Sequence, residues 1–338
     1  MNLVRIAQSV SAQPKVSSMG HPTLTLRVAR IERVTPLIKR FTLSALDGGA
    51  LPPFTGGSHI IVQIRDGTRQ VNNAYSLMNS PRAPGCYQIG VRRQEPSKGG
   101  SAFLHDKVAE GDTLTVTPPN NLFALDASAN HHVLIAGGIG ITPFLSQLHE
   151  LHDQGGSYEL HYAFRSATHG AFCDELAAAC GEDRVRFYID DQGQKLDVPA
   201  LLRALPPGAH AYVCGPATLI DAVRSATRDV GLPPSRLHVE QFAAAAPTGD
   251  AYTVVLAKSG KTVRVASGES ILNAIERDSA VPVPCLCREG VCGTCETRIL
   301  EGEATHFDQY LSAQEKEAQK TLLICVSRAK GHTLVLDL

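Results

Sequence analysis

Cys287, Cys292, Cys295 and Cys325 are separated by four, two and 29 residues. That is the plant-type C-x4-C-x2-C…C spacing of thiolates around a [2Fe–2S] cluster. Each iron takes two thiolates, so one loop must wrap the cluster while a distant segment supplies the fourth ligand. Gly290 and Gly293 fall where such a loop has to turn sharply. The competing metal is zinc held by four cysteines. Structural zinc sites are usually built from two C-x2-C halves, whereas here the first gap is four and Cys325 has no near cysteine neighbour. Pairing Cys285 with Cys292 would give a gap of six, which breaks the spacing, so Cys285 reads as a flanking core thiol.

Other residues suit an anionic ligand. Gly137-Gly138-Ile139-Gly140-Ile141-Thr142-Pro143 follows the apolar run Val133–Ala136 and opens a helical pattern. Glycines let a backbone approach a ligand closely, and a helix N-terminus offers unpaired amides and partial positive charge to phosphate oxygens. Cys214-Gly215-Pro216 also follows an apolar strand. A buried small thiol is the plain reading of Cys214; the Gly-Pro after it favours a ligand-facing turn. Gly99-Gly100-Ser101, preceded by Arg92-Arg93, starts a helix carrying Phe103 and Leu104 and offers a second phosphate seat. An exposed basic hairpin is the alternative there.

The elements that must position these residues fall into three textures. From about Thr23 to Asp126, short β-rich stretches (Thr23–Val28, Ile60–Ile64, Gln88–Arg92) alternate with turns such as Asp47-Gly48-Gly49 and Asp66-Gly67, predicting an antiparallel β-barrel. Val133–Ala136, Leu160–Phe164, Val185–Ile189 and Ala211–Cys214 then alternate with helical patterns, predicting an α/β domain with a parallel sheet. One helix is expected to start with Thr142 as N-cap and Pro143 at N1, burying Phe144, Leu145, Leu148 and Leu151. Another starts near Ala217 with Leu219, Ile220, Val223 and Ala226 on one stripe. Beyond the Ala- and Gly-containing stretch at 243–250, Tyr252–Leu256 and Thr262–Val265 read as a hairpin, Ser270–Glu276 as a helix and Thr333–Leu336 as a closing strand. The expected division is an extension at 1–22, a barrel at 23–128, an α/β domain at 129–243, a linker at 244–250 and an α+β domain at 251–338.

Composition narrows the function class. A chain of 338 residues suits two or three domains. With 32 basic and 33 acidic residues it lacks the charge of a general nucleic-acid binder. Its apolar runs fall well short of the ~20 residues of a membrane span, and Met1–Gly20 lacks the apolar core of a secretory signal. Nine cysteines, four of them in one tight group, suit reduced thiols and a cytoplasmic location better than a disulfide framework. A monomer is expected.

The segment Cys287-Arg-Glu-Gly-Val-Cys292-Gly-Thr-Cys295, with the ending Cys325-Val-Ser-Arg-Ala-Lys330, resembles the ferredoxin domain of phthalate dioxygenase reductase and vanillate demethylase reductase. The same family's motifs recur in order from about residue 24. The resemblance implies a flavin barrel, a nicotinamide domain and a β-grasp ferredoxin, with FMN, NADH and a [2Fe–2S] cluster as cofactors; the residues alone leave FAD open. It implies that Tyr75 packs on the isoalloxazine, that Ser76 reaches the hydride-accepting N5, and that Leu77 completes that motif. Asn73 stands where the family has arginine, with Arg93, Gly99, Gly100 and Ser101 as compensating phosphate contacts. It also implies a nucleotide site made by Gly138, Gly140, Thr142, Pro143 and Arg165, by Cys214, Gly215 and Pro216 over the nicotinamide, and by Glu240 and Phe242, which close it. The implied partner is a Rieske-type terminal oxygenase. A di-iron monooxygenase, a soluble carrier and a redox-sensing role are the alternatives.

Overall fold

The computed structural model describes residues 22–67, 69–83, 85–95, 99–181, 183–242 and 248–338, with the backbone of Lys15 and Val16. Most of the expected extension and linker lie outside these residues. The chain forms two compact units, Met1–Gln241 and Phe242–Leu338.

The first unit opens with six antiparallel strands: β1 (Pro22–Thr35), β2 (Ile38–Ala45), β3 (Ser58–Asp66), β4 (Arg69–Ser76), β5 (Tyr87–Arg92) and β6 (Thr113–Val116). Their order is β4-β3-β6-β1-β2-β5. The two outer strands meet through a bridge between Leu77 and Ile89 and a Met78 N to Gln88 O hydrogen bond of 2.9 Å. The result is a near-closed barrel. Phe41 and Leu43 of β2, Ile60 and Val62 of β3 and Ile89 and Val91 of β5 fill its interior, as period-two patterning requires. β1 runs seven residues beyond the expected Val28. Register shifts at Val28/Arg30 and Arg33/Thr35 bend it along the barrel wall. The helix α1 (Gly100–Asp106) packs Leu104 into this core.

A five-stranded parallel sheet follows, built from β7 (His131–Gly137), α2 (Thr142–Gln154), β8 (Tyr158–Phe164), α3 (Cys173–Cys180), β9 (Val185–Ile189), α4 (Val198–Arg203), β10 (Ala209–Cys214), α5 (Ala217–Asp229) and β11 (Leu237–Glu240). Its order, β9-β8-β7-β10-β11, reverses direction between β7 and β10. In open α/β sheets ligands bind outside the carboxyl ends of strands at such a reversal. That places the turns after Gly137 and after Cys214 side by side.

One helix differs from expectation at its start. A 3-10 turn, Gly138–Ile141, feeds directly into α2, so Ile141 takes the N-cap position and Pro143 falls after Thr142 in the first turn. Thr142 Oγ1 donates back to Ile139 O at 3.0 Å instead of capping. Phe144, Leu148 and Leu151 are buried as the periodicity predicts, while Leu145 is only half-buried. Ser146 and Gln147 are buried too, because this face of α2 meets the barrel. Gly57 N donates to Ser146 Oγ (3.0 Å), Gly56 N to Glu150 Oε2 (2.7 Å), and Gln147 Nε2 to Phe123 O (2.5 Å). Arg40 of β2 pairs with Glu175 of α3 at 2.5 Å.

The second unit is a mixed sheet of β12 (Tyr252–Leu256), β13 (Lys261–Val265), β14 (Glu296–Glu301), β15 (Thr321–Leu323) and β16 (Thr333–Leu336), ordered β13-β12-β16-β14-β15. The helix α6 (Ile271–Asp278) is capped by Ser270 Oγ, which accepts from Asn273 N at 3.1 Å. It buries Ile271, Leu272, Ala274 and Ile275 in one core with Val254, Leu256 and Leu334. A second short helix, α7 (Ala313–Ala318), begins with a reciprocal capping box between Ser312 and Glu315. A helix gripped by a mixed sheet is the expected β-grasp.

Candidate redox centres

The loop between α6 and β14 carries Cys287, Cys292 and Cys295, and the turn after β15 brings Cys325 to them. Cys287 and Cys292 are close enough to act on each other's thiol, as are Cys295 and Cys325. Cys287 Sγ also accepts from Glu289 N at 3.3 Å, and Cys292 Sγ lies 3.1 Å from Thr294 Oγ1. Within each pair one thiol is driven down and its partner up. Hydrogen bonding by Cys287 holds the Cys292 thiol at about 5, and Cys325 lowers Cys295 in the same way. Two neighbouring pairs of sulfurs are the donor set that two bridged irons require. Cys285 stands apart in the apolar core, where burial pushes its thiol up to about 12.

The loop is shaped by backbone that only glycine adopts freely. Gly293 has φ +74°, and a β-carbon there would lie 2.3 Å from Tyr310 Cζ. Arg288 also takes a positive φ, +58°, a strain of about 1–3 kcal/mol for a residue with a side chain. It is held there by Asn273 (3.2 Å) and by an ion pair with Glu276, both on α6. Behind the loop stands a network that sequence reasoning missed. Asp308, fully buried at its side chain, accepts from Leu311 N (2.8 Å) and Ser327 Oγ (3.4 Å), while Lys316 Nζ donates to its carbonyl (2.6 Å). Gln309 N then donates to Gly290 O at 3.0 Å. Arg328 spans the entrance to this unit, donating to Asp250 O (2.7 Å) and Glu269 O (2.8 Å) across the Tyr252 ring. The sequence held a signal for Ser327 and Arg328, which sit inside the Cys325–Lys330 motif.

In the parallel sheet the two expected turns interlock. A β-carbon on Gly140 would lie 2.3 Å from Cys214 O, and one on Gly137 would lie 2.6 Å from Pro216 Cδ. Tyr162 OH steadies the first turn by donating to Gly138 O at 2.9 Å. Cys214 and Glu240 are register partners on β10 and β11, with Cys214 Sγ 3.7 Å from Glu240 Oε2. Both side chains are buried. Burial raises the Glu240 carboxyl to about 8, against a lowering hydrogen bond from Cys214, and burial with the neighbouring Glu240 pushes the Cys214 thiol well up. Arg165 is exposed at the end of β8, and its charge and that of Arg92 both act on His169. Phe242, half-buried, begins the second unit.

In the barrel, Tyr75 and Ser76 end β4 and Leu77 follows it. Ser76 is buried, and its Oγ has no hydrogen-bond partner among the described residues. An orphaned buried hydroxyl is costly, and a flavin nitrogen would satisfy it. Asn73, in place of the family arginine, lies against the α1 turn: a β-carbon on Gly100 would be 2.7 Å from its Oδ1. Gly99 has φ +109°, and Ser101 Oγ accepts from Gln94 N at 3.2 Å. Arg93 is the basic residue expected to compensate for Asn73. Its guanidinium is engaged by two carboxylates, Asp106 and, at 3.2 Å, Glu95, which offset its charge. Beside Ser76 in register lies His59, whose ring is buried and held neutral by burial, with a pKa lowered to about 4. A histidine depressed on folding stabilises the fold above its unfolded value and loses that contribution as pH falls. Urea midpoints should therefore drop between about pH 6.5 and about pH 4, and His59→Gln should flatten that slope; an unchanged slope would refute this role for His59.

Fold and site together define an electron-transfer flavoprotein reductase with a plant-type ferredoxin in the same chain. Residues 254–330 match the 2Fe-2S iron-sulfur cluster binding domain, and residues 113–237 match the N-terminal domain of dimethylamine monooxygenase subunit DmmA-like proteins. The chain is 53% identical over 313 residues to the carnitine monooxygenase reductase subunit of Escherichia coli, covering 93% of this chain and 98% of that one. Among solved structures it is similar to phthalate dioxygenase reductase (36% identity, TM-score 0.70, 94% and 98% coverage). It is also similar to an intact type IV self-sufficient cytochrome P450 monooxygenase (38%, TM-score 0.79), of which it covers 41%. The chain belongs to the phthalate dioxygenase reductase family, and its cofactors are FMN, NADH and a [2Fe–2S] cluster.

Proposed function

We propose that this reductase serves a separate Rieske-type terminal oxygenase acting on carnitine or a similar quaternary ammonium compound. The observation that carries the reading is the 53% identity, over nearly the whole of both chains, to a carnitine monooxygenase reductase subunit. When bound, FMN would supply the exchange between the electron pair of NADH and the single electrons the cluster accepts. Every other task falls to the protein. Ser76 Oγ would donate to the flavin edge, Tyr75 would cover the ring, and Leu77 would back both from the barrel core. Asn73 with Gly99, Gly100 and Ser101 would hold the flavin phosphate. Gly138, Gly140, Thr142 and Pro143 would face the dinucleotide phosphates, with Arg165 toward the adenosine end. Cys214, Gly215 and Pro216 would lie over the nicotinamide; Glu240, protonated near neutrality, would keep negative charge off the Cys214 thiol. Phe242 would close the site. Nine cysteines outside any disulfide, four of them proposed as cluster ligands, suit the reducing cytoplasm, where the chain would act as a monomer.

The test is reconstitution. NADH, this reductase and a purified Rieske-type carnitine oxygenase should give substrate-dependent oxygen uptake. The same mixture with a cytochrome P450 acceptor should not. The fused P450 relative supports that second acceptor, and coupling to it alone would displace the first reading. Ser76→Ala tests the flavin contact. Loss of one hydrogen bond of about 1 kcal/mol should slow flavin reduction by NADH roughly fivefold with the cluster unchanged, measured by stopped-flow absorbance.

A further inference from the structure

Far from the nicotinamide turns, at the opening end of the parallel sheet, three metal-binding side chains converge from three separate segments. Asp126 lies on the connection from barrel to sheet, His210 at the start of β10 and His238 on β11. Their ligand atoms all lie within 4.8 Å of one another. His210 Nδ1 is 3.0 Å from His238 Nε2 and 3.7 Å from Asp126 Oδ2. The second distance is too long for a hydrogen bond. Two ligands about 2.0–2.1 Å from a shared tetrahedral ion stand about 3.3 Å apart, and the two observed distances bracket that spacing.

The surroundings orient the same atoms. Asp126 Oδ1 is occupied by Ser128 N (2.8 Å) and Ser128 Oγ (2.6 Å), while Oδ2 faces His210. Tyr212 stacks on the His238 ring at 4.3 Å and 11°, and its hydroxyl accepts from Asp126 N at 2.9 Å. One tyrosine thus fixes two of the three groups. His132 of β7 is the register partner of His210, and its Nδ1 is buried without a partner among the described residues. The Asp126 side chain is 36% exposed, so an ion has a way in. His210 precedes Cys214 by four residues, about 13 Å along the strand, which separates this cluster from the nucleotide site.

We propose that Asp126, His210 and His238 bind one divalent transition ion of the zinc class, with His132 beside them as a reserve donor. Imidazole nitrogen with one carboxylate is the donor set such ions favour over magnesium or calcium. The bound ion fastens the barrel-to-sheet connection to β10 and β11, the two strands that end in Cys214 and Glu240.

Zinc chloride titrated into the holoenzyme by calorimetry tests this, with the cluster's visible absorbance recorded so that zinc taken by cluster cysteines is seen separately. Wild type should take up one zinc per chain with the cluster absorbance intact, and zinc should raise its thermal midpoint. Asp126→Asn, a change at a half-exposed position, and His238→Gln should each weaken binding by about tenfold or more and abolish the thermal shift. Equal affinity in wild type and both variants, or no uptake by wild type, would overturn the proposal.

Discussion

Cys325→Ser protein should keep its NADH–ferricyanide turnover while its reduction of cytochrome c falls by about a hundredfold or more. Cys325 is paired with Cys295, and no other described cysteine takes its place: Cys285 sits in the apolar core with its thiol pushed up by burial. Serine would leave one iron a ligand short. The residues proposed for the flavin, and those proposed for the nucleotide except Phe242, lie in the other unit, so ferricyanide, a small one-electron acceptor, should still draw electrons directly from the flavin. Iron content and the visible spectrum should fall together with cytochrome c activity. Full iron content and undiminished cytochrome c reduction in the variant would sink the assignment of Cys325 as a ligand.

The second large effect is expected at Gly140→Ala. Its methyl would lie 2.3 Å from Cys214 O, 2.5 Å from Cys214 C and 2.7 Å from Gly215 N. All three are backbone atoms, so no rotamer change relieves the clash and the two strand-end turns must separate. A displacement near 1 Å at a hydride-transfer site costs about a hundredfold in rate, and stopped-flow mixing with NADH should show flavin reduction slowed by that order. Dithionite-reduced enzyme should still pass electrons to cytochrome c at the wild-type rate, since flavin and cluster seats are elsewhere. Wild-type flavin reduction would show that the contact does not matter.

Much of this was legible in the sequence, for physical reasons that differ from site to site. The cluster ligands stood out because one loop supplies three of them, and local spacing is what a sequence displays. The parallel strands stood out because burial on both faces writes a continuous apolar run such as Val133–Ala136. Asp308 and Lys316 did not, since their role comes from a turn pressed against Gly290 about twenty residues away. The strand Glu296–Glu301 was missed because charged residues on its outer face dilute the alternation, and Thr321–Leu323 because three residues are too few to show one. Asn73 was read as a lost contact, yet only the fold shows that its amide rests on Gly100. The Asp126, His210 and His238 cluster had no signature at all, being assembled by parallel register and not by spacing.

One helix carries a consequence for how this architecture tolerates change. The first turn of α2 meets the nucleotide loop, and its next turns, through Ser146, Gln147 and Glu150, grip the barrel. It therefore sets the distance between that loop and the barrel wall. Adding or deleting a single residue there would turn one end about 100° and slide it about 1.5 Å against the other. A change in the length of this segment would therefore break contacts at one end or the other, whereas a substitution that keeps its length need not.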